Sequence, residues 1–109
     1  MLEFREGDKC ITIIYDDADD QAHLKPIIQA LKIYSGRRER YQSGWRRLGA
    51  LGNAFFMKDR ANRVWEALKN GPGCQSFNYE DCVDMINIAA FCYRSAHEEN
   101  YGGEFWPDA

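Results

Sequence analysis

Glu80, Asp81 and Asp84 set three carboxylates within two turns of one apolar stretch of this 109-residue chain. Glu80 and Asp84 are four residues apart and Asp81 and Asp84 three apart, so on a helix all three share a face. Like charges this close repel unless a cation sits among them. Arginines can supply it, and so can a divalent ion: magnesium takes a few carboxylate oxygens, several waters and a substrate's phosphates. Manganese is the expected substitute. Capping accounts for part of the cluster, with Asn78 as N-cap and Asp81 as the acid three residues on, but Asp84 lies a turn too deep for it.

Two more groups accompany these acids. Asp59, Arg60, Arg63 and Glu66 form a charged helical face near Phe56. Arg60 and Arg63 can take phosphates through their planar forks of donors, Asp59 and Arg63 pair at i, i+4, and Glu66 can lend a carboxylate to a metal held by the 80–84 acids. Tyr41 and Trp45, interleaved with Arg46 and Arg47, can stack a base and hold its phosphates; the plainer alternative is that Trp45 packs in the core. Nucleophilic catalysis has no support, for there is no G-x-S-x-G and no Cys with a well-placed His.

Charge is segregated along the chain. Residues 1–24 carry a net −5, residues 36–63 a net +6 and residues 64–109 a net −6, within an overall −3. A basic middle between acidic ends either pairs with those ends or binds an anion. A pI near 5.3 argues against duplex DNA, which requires a positive field, so nucleic acid is not an expected partner. Composition, at 45% hydrophobic and 28% charged, is that of an ordinary globular domain. The apolar runs fall far short of the roughly 20 residues of a membrane span, and no secretion signal opens the sequence. The four cysteines, Cys10, Cys74, Cys82 and Cys92, show no C-x-x-C spacing and read as reduced thiols. These features together predict a cytoplasmic protein.

The elements that must position these groups are mainly helical. Residues 9–15 read as a strand and the following DDADD as an acidic turn. Leu24, Ile27, Ile28, Leu31 and Tyr34 predict a helix from 21 or 25 to 41, with Pro26 near its start and Gly36 loosening it. Residues 43–53, with three glycines, read as a loop holding one helical turn. Residues 54–69 predict a helix with Met57, Ala61, Val64, Trp65 and Leu68 on its inner face. A last helix over 78–97 carries Val83, Ile86, Ala90 and Tyr93 on one stripe and Ile88 and Phe91 on the other, so it is expected to be buried. The expected fold is mainly α: a small bundle of three to four helices with a short N-terminal β-strand or hairpin. It forms a single domain over 1–109, with a strand and acidic turn over 1–20, a helical body over 21–98 and a tail over 99–109 that docks Phe105 and Trp106. Aromatic stripes on several faces predict self-association, with a symmetric dimer as the default.

Tyr41-x-x-x-Trp45-Arg46-Arg47-x-Gly49, then Asp59-Arg60-x-x-Arg63-Val64, then Glu80-Asp81-x-x-Asp84-Met85-x-Asn87-x-Ala89, resemble in order the phage nucleotide-modification-associated domain family. The resemblance spans residues 34–95. Arg40-Tyr41-Gln42 stands where the family has Asp-Tyr-Gly, Arg60 replaces a Lys, and Glu80 and Asp84 meet the family's four-residue acid spacing. More distantly, the helical plan is similar to the MazG-like nucleotide pyrophosphohydrolases, in which E-x-x-E and E-x-x-D motifs on two helices surround magnesium. Asp81-x-x-Asp84 corresponds to the second motif, and no helical stretch supplies the first.

The resemblance implies a nucleotide-metabolism protein, acting in the host cytoplasm if phage-encoded. In the enzymatic reading Glu80, Asp81, Asp84 and Glu66 hold Mg and a metal-bound water attacks a nucleotide phosphate. Arg60, Arg63 and Asp59, with Trp45, Tyr41, Arg46 and Arg47, bind the substrate. The alternative is a non-catalytic protein that sequesters or escorts a nucleotide. In a third reading the chain is a small oligomeric scaffold whose charges only pair subunits.

Overall fold

The structure, a computed structural model, describes residues 2–6, 9–14, 17–37, 44–73 and 75–102. Two strands and three helices follow one another: β1 (Leu2–Glu6), β2 (Lys9–Ile13), α1 (Ala18–Gly36), α2 (Gly44–Leu68) and α3 (Tyr79–Tyr101). The strands pair antiparallel, Leu2 opposite Ile13 and Glu6 opposite Lys9. The mainly α bundle with an N-terminal hairpin is therefore as expected, with three helices. No helix among the described residues is long and apolar enough to cross a membrane, and Cys10, Cys82 and Cys92 are free thiols.

Asp17 caps α1, its carboxylate accepting the amide hydrogen of Asp20 at 2.9 Å. With Asp19 and Asp20 in the first turn, acids meet the positive end of the helix dipole. This cap sets the start at Ala18, ahead of the 21 or 25 expected, and the helix runs on through Pro26. Pro26 is exposed. Gly36 ends the helix rather than loosening its middle; the expected continuation to 41 lies mostly outside the described residues, as do Tyr41, Cys74, Phe105 and Trp106.

Residues 44–53 are helical, not a loop. Two helical segments join at Gly49, whose φ of 68° and ψ of −176° break the ladder. Asn53 repairs the break, donating from Nδ2 to the carbonyls of Trp45 at 2.9 Å and Gly49 at 2.8 Å. Glu99 Oε1 accepts the Ala50 amide hydrogen at 2.9 Å, capping the second segment from α3. The inner face of α2 also differs from expectation. Asn53 and Ala67 are buried, whereas Trp65 is 65% exposed and Leu68 and Ala61 are exposed too. The apolar residues alone point to a different stripe, because the buried one passes through the polar Asn53.

Asn78 caps α3 as expected, accepting from the Glu80 amide at 2.9 Å. Its buried seam is Val83, Asn87, Phe91 and Ser95, one residue per turn. Ala90 and Tyr93 are exposed, so α3 is buried along one side rather than all round. Asn87 ties α3 to α1 by donating to the Ala30 carbonyl at 3.0 Å. Ile28, Ala30, Trp45, Ala67, Val83 and Phe91 form the apolar core.

Candidate functional site: the groove between α2 and α3

The antiparallel run of α2 against α3 sets Arg60 and Arg63 opposite Asp81 and Asp84. Arg60 Nε lies 3.5 Å from Asp84 Oδ2 and 3.9 Å from Asp81 Oδ1, while its Nη1 donates to Asp59 Oδ2 at 3.0 Å. Arg63 reaches Asp59 at 3.3 Å, the predicted i, i+4 pair, and Asp81 at 3.8 Å. Three carboxylates thus meet two guanidiniums, with one negative charge in excess. Arg60 is the inner member: its Nε is sealed from solvent without a hydrogen bond of good geometry. Arg63 is 56% exposed and held only by contacts longer than 3.2 Å, so it is the arm most easily released to a ligand.

The other expected metal ligands stand apart. Glu66 pairs with Lys69 at 2.6 Å on the solvent side, and Glu80 is exposed in the first turn of α3. Asp81, expected partly as a capping acid, turns instead toward the two arginines. No three of Glu66, Glu80, Asp81 and Asp84 bring carboxylate oxygens within 4.8 Å of one another; among the described residues that spacing occurs at Asp17, Asp19 and Asp20, which are exposed. As placed, the groove acids suit arginine and do not make a ready cage for magnesium.

One turn along both helices from this network lies a cleft of about 410 Å³, lined by Trp45, Leu48, Asn53, Phe56, Ile88 and Phe91. Phe56 precedes Arg60 by four residues and Ile88 follows Asp84 by four, so cleft and network are successive stations of the same groove. The volume falls within the range of small-molecule sites. Trp45 forms its inner wall. It is only 5% exposed, stacks on Phe91 with ring centroids 5.5 Å apart, and carries the guanidiniums of Arg46 and Arg94 at 4.4 and 4.3 Å from its ring. Core packing and cleft wall are therefore one role for this side chain.

Of the remaining expected residues, Arg46 is held by Glu98, with Nη2 3.2 Å from Oε1, and Arg47 is exposed. Asn53, Arg94 and Glu99 join the site without an expectation from the sequence to place them there. Arg94 has no carboxylate partner among the described residues; it rests on Trp45, with Nη1 3.4 Å from the Tyr34 hydroxyl. Its spacing from Phe91, one turn along α3, was the available signal. No family model matches the chain, and no curated protein or solved structure does either.

Proposed function

We propose that the α2–α3 groove binds a nucleotide, with the base in the Trp45–Phe56 cleft and the phosphates at Arg63. The observation that carries this reading is the succession along one groove of an apolar, aromatic-lined cleft and an exposed, loosely held arginine. Phe56, 40% exposed, offers a base its π-face at the mouth of the cleft, with the buried Trp45 as the inner wall, and an arginine fork one turn away matches a phosphate. Arg60 then serves as the fixed link between the helices and Arg63 as the arm that exchanges Asp59 for the ligand. This is the non-catalytic reading, that of a sequestering or escort protein, and the occupation of Asp81 and Asp84 by arginines favours it.

A second reading, magnesium-dependent hydrolysis of a nucleotide phosphate, is favoured by the excess carboxylate in the network, whose charge a divalent cation offsets. It requires Arg60 or Arg63 to move aside, and Asp81 and Asp84 are the acids it would use. A nucleotide panel incubated with the purified protein in magnesium, manganese or EDTA separates the two. Binding, read as thermal stabilisation, that persists in EDTA with every nucleotide intact by mass spectrometry supports the binder. Turnover lost with chelation and with Asp84→Asn supports the enzyme. No stabilisation by any nucleotide contradicts both.

A further inference from the structure

We propose that Asn53 reads the base, and that the cleft selects nucleotides whose ring carries an exocyclic amino group. This deepens the nucleotide reading above and rests on it. Asn53 is only 2% exposed, yet it lines the cleft. A carboxamide nitrogen has two hydrogens to donate. Both are committed at the Gly49 kink, to the Trp45 carbonyl at 2.9 Å and the Gly49 carbonyl at 2.8 Å, with Ser95 Oγ 3.3 Å away. Two carbonyl acceptors on the same atom fix which end of the amide is nitrogen.

The orientation leaves Oδ1, with its two lone pairs, as the atom that Asn53 offers the cleft. Oδ1 accepts no hydrogen bond among the described residues. The other lining side chains are aliphatic or aromatic, and an indole N–H only donates. The cleft therefore presents one side-chain acceptor in an apolar frame. A ring amine satisfies it. A carbonyl edge opposes acceptor to acceptor, and a bare C–H edge leaves Oδ1 covered but unpaired, which sites of this kind reject. The same amide that mends the break in α2 is thereby held in one orientation for recognition, since turning it over would set its oxygen against two backbone carbonyls.

The test uses the wild-type protein and three pairs of nucleoside triphosphates titrated calorimetrically: ATP with purine riboside triphosphate, GTP with ITP, and CTP with UTP. In each pair that binds, the amino-bearing member is expected to bind at least about tenfold more tightly, the effect of one hydrogen bond to a buried acceptor. Phe56→Ala, which removes a wall and not the acceptor, is expected to weaken both members of a pair alike. Equal affinity within the pairs overturns the role of Asn53 while leaving a nucleotide site in the groove. Binding by none of the six overturns the nucleotide reading itself, and this inference with it.

Discussion

Glu99 reaches across from α3 to accept the Ala50 amide hydrogen at 2.9 Å, and in doing so brings its Oε1 to within 2.7 Å of where a Cβ on Gly49 would stand. The kink in α2 is thus clamped from outside by Glu99 and from inside by Asn53. On the segment before the kink, Trp45 lines the cleft and stacks on Phe91. At this position a side chain meets both a positive φ of 68° and the clamping carboxylate.

Gly49→Ala is accordingly expected to destabilise the protein by about 1–3 kcal/mol, the cost of a strained backbone conformation, with the Glu99 clash in addition. Urea denaturation measures it. Glu99→Gln, which keeps an acceptor for Ala50, is expected to cost less than about 1 kcal/mol. A Gly49→Ala protein as stable as the wild type contradicts the kink.

Arg60 joins α2 to α3 through Asp81 and Asp84, and its removal leaves those acids facing Asp59. Arg60→Met is expected to cost about 1–3 kcal/mol, as unpaired and partly buried charges do. Asp84→Asn leaves Arg60 with two acids and is expected to cost less. In a double-mutant cycle the two changes should couple by about 0.5 kcal/mol or more. Strict additivity would show that the helices are held without this network.

Trp45→Ala removes a wall that is also core, and a loss of about 3–5 kcal/mol is expected. Trp45→Phe keeps a ring on Phe91 and should cost clearly less. Phe56→Ala, at a side chain 40% exposed, is expected to fold nearly as stably as the wild type and to lose nucleotide affinity. That separation of stability from binding is readable by denaturation and calorimetry on the same samples.

The self-association expected from the aromatic stripes finds exposed apolar side chains on α2, where Leu51 is 84% and Phe55 66% exposed. Leu51→Ser with Phe55→Ser is expected to change stability by no more than about 0.5 kcal/mol per site while converting a sedimenting dimer to a monomer. A wild-type protein that sediments as a monomer at all concentrations contradicts the dimer.

Element types were legible where local chemistry decides them. Asn78 ahead of an acidic first turn marks the start of α3, and Gly71-Pro72-Gly73 marks the end of α2. The extent of α2 was not legible. Three glycines between 44 and 52 read as a loop because the contacts that make this stretch helical, from Asn53 and Glu99, come from further along the chain. The apolar residues of α2 point toward Trp65 for a related reason: its buried positions include the polar Asn53, whose burial depends on its partners in the kink. At the site, the meeting of the 59–63 and 80–84 charges was foreseeable from their signs. The cleft beside them was not, since it is made by the crossing of two helices at Trp45 and Phe91.

The most direct test of the groove is the map of backbone amide NMR shifts on titrating a nucleotide into labelled protein. Saturable shifts are expected at Trp45, at residues 53–63 of α2 and at residues 81–91 of α3, with α1 unmoved and the affinity reduced by Arg63→Gln. Shifts centred on α1 or the hairpin, or none at all at saturating nucleotide, would contradict a nucleotide site in the groove.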